Sequence, residues 1–248
     1  MKHKNKILLA FFSCLLLSNP SKVFATGSYH LNPIRLHLSP QDTVTKLLLR
    51  NLNDESGQLQ VQLKSWDQKD GEDLYELSRD MVVSPPIFPV KGKKSQTIRV
   101  ALRNAPDEKR EKAYRLFITE IIPEVTTAAQ AKARQGKLQV QLVMSIPVFV
   151  HPKNETEMKP IWKAKRLDSK TVQVDLHNAG ENHIRVADLQ LKDTADKPIS
   201  KKESTFSYVL PEQRHTWKIS LDKDLTGNEI KLTGLLKEDE YTTTITVE

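Results

Sequence analysis

The chain has 248 residues, 38% hydrophobic and 28% charged, with 8 Gly, 13 Pro and a single Cys. That length accommodates one or two domains with proper cores, and the composition excludes collagen-like, low-complexity and disulfide-scaffold chains. The formal charge of +7 falls to +3 without the first 25 residues, which carry Lys2, Lys4, Lys6 and Lys22 and no acid, so the basic balance is no argument for a nucleic-acid partner.

Residues 1–25 read as an export signal, with lysines at the start, an apolar run over 7–17, and Val23, Phe24 and Ala25 as a cleavage site ending in a small residue. The run is too short to span a bilayer comfortably, and no later segment approaches spanning length. Cys14 lies inside it, so the exported chain would carry no thiol and must be held by its cores alone. Downstream, short runs with period-2 alternation recur between turn residues, the pattern of strands buried on one face. Predicted strands cover 34–38, 44–50, 59–63, 97–102, 114–121 and 138–150, then 172–176, 183–191, 216–221, 230–235 and 242–247. Leu59, Val61 and Leu63 alternate with glutamines, for example, and Val172, Val174 and Leu176 with Gln173 and Asp175.

Helix is expected only as single turns at 107–112 and at the alanine-rich 127–134. The stretch 123–136 interrupts the alternation as a long loop. His151, Pro152 and Lys153 form a hinge candidate, because Pro152 lacks a ladder donor and biases the preceding residue to extended geometry. The expected fold is therefore all-β: two immunoglobulin-like β-sandwich domains, 26–151 and 152–248, after the N-terminal signal peptide, with a cleft between them.

Catalytic and cofactor signatures are missing from the sequence. There is no G-x-S-x-G elbow, phosphate-binding glycine loop or H-E-x-x-H, and no Cys remains for a nucleophile or zinc site after export. His30, His37, His151, His177, His183 and His215 lie at spacings that place no two imidazoles together on one strand or helix, and they read as solvated or structural. The expectation is a protein that is not an enzyme and carries no cofactor and no metal.

Two features stand out. Over 138–150, Leu138, Val140, Leu142, Met144, Ile146, Val148 and Val150 line one strand face for roughly 40 Å, more than one small core requires, although a core strand with a long tail shows the same alternation. Arg35, Arg99 and Arg115 each sit in a predicted strand, and a guanidinium fork suits a carboxylate; the plainer reading of each is a solvated charge.

The proline-rich run 84–92, followed by Gln96 and Arg99, resembles the periplasmic chaperones of the chaperone-usher pilus pathway. Further matches lie in order: Leu31, Asn32, Pro33 and Arg35; Gln60, Val61 and Gln62 through to Trp66; Thr119, Glu120 and Ile121 with Pro123; and Ile146 to Val150 with Pro152. Most of 29–152 is covered, while the second half offers only the stretch 176–183. The resemblance implies a periplasmic boomerang of two immunoglobulin-like domains. Its cleft would hold nascent pilus or fimbrial subunits, each lacking one strand of its own sandwich, and deliver them to an outer-membrane usher. By position, Leu138, Val140 and Leu142 match the apolar residues of the donor strand, with Met144 extending the row, and Arg35 matches the cleft arginine that binds the subunit's C-terminal carboxylate.

Two departures from the family pattern matter. Pro147 stands where the best-known branch has a cleft lysine, and His151 where an arginine precedes the linker proline. Arg115, or else Arg99, would then take the lysine's part; Arg115 is preferred because Tyr114, Arg115, Leu116 and Phe117, with the run 146–150, resemble a divergent, archaic-type branch. The alternative is a periplasmic carbohydrate- or ligand-binding sandwich, which would favour a row of exposed aromatics; aromatics are 6% of the chain and no such row is visible.

Overall fold

The computed structural model describes residues 28–106, 109–122, 127, 140–154 and 156–248. The expected export segment with Cys14, the expected turn at 127–134 apart from Thr127, and Leu138 lie outside the described residues. Among the described residues the chain is all-β, with seventeen strands.

Two sheets face each other in the first half. One runs β1 (Tyr29–Asn32), β3 (Val44–Asn51), β8 (Ser95–Leu102), β6 (Met81–Ser84), antiparallel throughout. The other runs β2 (Leu36–Leu38), β10 (Val143–Val150), β9 (Lys112–Glu120), β4 (Gly57–Lys69), β5 (Glu72–Leu77), with β7 (Ile87–Val90) also on β4. Alternation explains why these segments are strands: Leu47 and Leu49, Leu59 and Val61, Ile98 and Val100, Leu116 and Ile118, Val148 and Val150 all point into one buried core.

The expected single strand over 34–38 is corrected. The chain pairs with β3 up to Asn32, bends over 33–35, and only from Leu36 joins the other sheet, parallel to β10. Pro33 has no N–H to donate at the break. Leu36 and Leu38 go into the core, but Ile34 is exposed instead of sharing their face. This switch of sheets delivers Arg35 to the rim of the molecule.

The long strand over 138–150 is also corrected. Ladder pairing begins at Val143, opposite Thr119, because β9 ends at Glu120 and offers no partner beyond it. Residues 140–142 follow outside the strand, anchored where the Glu120 N–H donates to the Leu142 carbonyl at 2.9 Å. The expected helical turn at 107–112 is not formed in its described part, since β9 starts at Lys112.

The second half repeats the architecture with β11 (Pro160–Asp168), β12 (Thr171–Asn178) and β15 (Arg214–Ser220) against β14 (Glu203–Val209), β13 (Ile184–Lys192), β16 (Glu229–Leu236) and β17 (Asp239–Thr246). Val172, Val174, Leu176, Ile184, Leu191, Ile230 and Leu232 form its core. No ladder among the described residues joins the two sandwiches. They meet instead through a small apolar cluster in which Trp66 and Phe149 pack against Tyr208 and Leu210. Buried Gln68 ties that contact, its Nε2 donating to the Tyr208 carbonyl and its Oε1 accepting from the Leu210 N–H, both at 2.9 Å.

Candidate functional site

A pocket of about 600 Å³ opens where the sandwiches meet, lined by Arg35, His37 and His151 on one side and His183, Arg185 and Glu238 on the other. Arg35 reaches it from the bend between β1 and β2, and its Nη2 donates to Glu238 Oε1 at 2.6 Å. Glu238 sits at the turn between β16 and β17, where Lys237 has a positive φ of 58°. The Lys237 backbone is clamped to β13: its N–H donates to the Arg185 carbonyl at 2.7 Å, and its carbonyl accepts from Arg185 Nη1 at 3.0 Å.

Behind the pocket lies a cluster the sequence spacing concealed. Glu111, just before β9, is almost fully buried. Its Oε1 accepts from the His183 backbone N–H at 3.0 Å and lies 2.6 Å from His183 Nδ1. His151 Nδ1 stands 3.1 Å from Oε2, at ion-pair range but without the alignment of a good hydrogen bond. His151 Nε2 in turn faces His37 Nδ1 at 3.0 Å. Only one proton fits between those two nitrogens, so the imidazoles cannot both become cations and keep the contact. Phe149 closes the back, its ring stacked on His183 at 3.6 Å.

Burial is the largest influence on Glu111 and pushes its carboxyl up, but His151 and His183 together outweigh it and hold the group at about 2. Burial, and then the neighbouring His151 and His183, lower His37 from its ordinary value. The cluster thus ties an ionised Glu111 to two histidines, with neutral His37 at its edge, bridging β2, β10 and β9 to β13.

The expected arginines do not converge. Arg99 lies exposed on the outer face of the first sheet, opposite Lys46. Arg115 neighbours Pro147 in the ladder, but its guanidinium lies over the Trp66 ring at 3.8 Å, and it does not line the pocket that holds Arg35. In the expected donor row, Val140 is half exposed, Leu142 is partly buried, and Met144 packs against the first core.

The backbone around that row has a distinctive property. β2 pairs with β10 only at Val148, Phe149 and Val150, whereas β9 pairs with all of β10 from Val143 onward. From Val143 to Pro147, β10 therefore has a neighbour on one side and, among the described residues, none on the other. An unpaired strand edge beside apolar side chains is a template for another chain.

The solved structure of the CsuC–CsuE chaperone–tip adhesion subunit pre-assembly complex, from the archaic chaperone-usher Csu pili of Acinetobacter baumannii, is similar with a TM-score of 0.63 at 18% identity, over 89% of this chain and 99% of that one. The E. coli chaperone DraB matches with a TM-score of 0.56 at 18% identity, over 88% of this chain and 98% of that one. The SafB chaperone structure with SafA pilin, from Salmonella enterica, matches with a TM-score of 0.57 at 14% identity, over 88% and 96%. At these identities the likeness is one of fold. No curated protein sequence matches the chain. The family described as pili and flagellar-assembly chaperone, PapD N-terminal domain, matches residues 28–155, more than half of the chain. With the two-sandwich fold and the open β10 edge, that match places the chain in the pilus-assembly chaperone family.

Proposed function

We propose that this chaperone is exported to the periplasm and holds pilus or fimbrial subunits by lending them the open edge of β10, in the manner of the archaic-type branch, before an outer-membrane usher takes them over. The observation that carries the reading is the edge itself: Val143 to Pro147 paired on one side only, preceded by Val140 and Leu142 outside the ladder. Adding such an edge to a subunit's sheet supplies main-chain hydrogen bonds, while alternate side chains enter the subunit's open core. Leu138, Val140, Leu142 and Met144 are the donor residues in this reading. Each side chain contributes about 1.5–3 kcal/mol when fully buried, before ordering costs, which is enough to hold a subunit that lacks one strand.

Release needs no nucleotide, because a better-fitting strand from the next subunit displaces the first. Arg35 anchors the subunit's terminal carboxylate in the cleft, and the domains divide at the His151–Pro152 hinge, 26–151 and 152–248. The fold match to chaperones solved with a tip adhesion subunit and with a pilin supports this choice of partner over a carbohydrate. Changing Val140 and Leu142 together to Glu is expected to abolish recovery of soluble co-expressed subunit and to leave the chaperone's own urea midpoint unchanged, since both residues lie outside its ladder. Normal subunit yield from that variant would end the donor-edge reading.

A further inference from the structure

The pocket beside Arg35 is not bare: a carboxylate of the chain itself lies on the guanidinium, Glu238 Oε1 at 2.6 Å from Nη2. The two residues are 203 positions apart and belong to different sandwiches, so the pair spans the mouth of the cleft. Its acid comes from a turn that cannot drift freely, because Arg185 grips the preceding residue, Lys237, through both its carbonyl and its side chain. Arg185 is also the second cation at this carboxylate: Arg35 first, and Arg185 more weakly, hold Glu238 below its ordinary value. The Glu238 side chain is 71% exposed while that of Arg35 is 29% exposed, so the acid is the partner able to swing away into water.

We infer that Glu238 is a resident competitor for the carboxylate site, occupying Arg35 in the free chaperone and giving way when the C-terminal carboxylate of a client chain arrives, with Arg185 on β13 as the second cation of the emptied site. This rests on the reading of Arg35 as a carboxylate anchor and deepens it. Loading becomes an exchange of one carboxylate for another on the same fork, so charge in the cleft is balanced before and after. A client without a free carboxylate does not displace Glu238, so the competitor lowers the affinity for true chain ends alone and keeps their anchoring readily reversible.

The test uses the whole chaperone and a short, N-terminally fluorescein-labelled peptide of alternating Val and Thr, prepared as the free acid and as the C-terminal amide, with binding read by fluorescence anisotropy. An exposed ion pair of this kind corresponds to a factor of about two to five in an equilibrium constant. Glu238→Gln is expected to tighten the free acid by about that factor and to leave the amide unchanged; the substitution removes a charge from an exposed turn and does not threaten the fold. Unchanged or weaker binding of the free acid, equal tightening of both peptides, or no binding of the free acid to the Glu238→Gln chain would each overturn the competitor role. Arg35→Ala tests the underlying anchor separately. It is expected to lose most of the preference for the acid, Arg185 keeping only a remainder, and an undiminished preference for the acid in Arg35→Ala sinks the anchor itself. If that preference is mostly lost while Glu238→Gln behaves as the unaltered chain, only the competitor falls.

Discussion

At Arg35 a guanidinium reaches the cleft because the chain changes sheets immediately before it, and Pro33 makes the change inexpensive by having no ladder hydrogen bond to lose. At Glu111 the logic is one of charge. A buried carboxylate is tolerated only with partners, and two histidines and a backbone N–H supply them. Because its folded-state value of about 2 lies below the ordinary 4.5, Glu111 adds stability that is complete above pH 4.5 and is lost as the pH falls toward 2. His37 and His215 are also lowered, chiefly by burial, so both are kept neutral; their contribution is complete above pH 6.5 and declines on acidification below it. Urea midpoints are therefore expected to fall in two stages from neutral to acid pH. His37→Gln should diminish the upper stage, with His215 accounting for the remainder, and Glu111→Gln should diminish the lower one, to which the lowered carboxyls of Asp73, Asp168, Asp193 and Glu238 also contribute. A flat profile through both ranges would contradict this assignment.

Single strands were legible where one face is buried and the other wet. The alternation in 59–63 and 172–176 marks β4 and β12, whose apolar residues lie in the two cores. β5 gave no such signal because every residue in Glu72–Leu77 is exposed, and it is a strand only through pairing with β4. β10 begins later than the alternation suggests for the converse reason: the alternation runs through Val140 and Leu142, but a ladder requires a neighbour and β9 stops at Glu120. The histidine knot was invisible to spacing, since His37 meets His151 across 114 positions and Glu111 meets His183 across 72. No local period records such meetings; only strand order does.

β4 has a second task beyond its core face. Its far end carries Gln68 to the C-terminal end of β14, where one amide satisfies a carbonyl and an N–H that would otherwise be buried alone. Gln68→Ala is expected to cost about 1–3 kcal/mol of contact between the sandwiches. Spin labels on opposite sandwiches should report a broader distance distribution, with the amides of β12 in the second core keeping their hydrogen-exchange protection. An unchanged distribution would show that the Trp66, Phe149 and Tyr208 cluster fixes the geometry without it.

For the molecule as a whole, the two sandwiches are joined among the described residues by an apolar cluster, a buried glutamine, the Glu111–histidine knot and the exposed ion pairs Arg35–Glu238 and Arg110–Glu212, and not by a shared sheet. That arrangement leaves β10 free over half its length while the cleft positions charge at its far end. The pair of cores thus presents an unfinished edge at β10, and the donor role stands or falls on whether a client completes it. Amide hydrogen exchange on the chaperone bound to a pilus subunit tests this most directly. The account predicts that the amides of residues 140–146 slow by about tenfold or more relative to the free chain, while the second core is unaffected. Protection confined to the second sandwich or to the outer sheet of the first, with residues 140–146 exchanging as they do in the free chain, would contradict it.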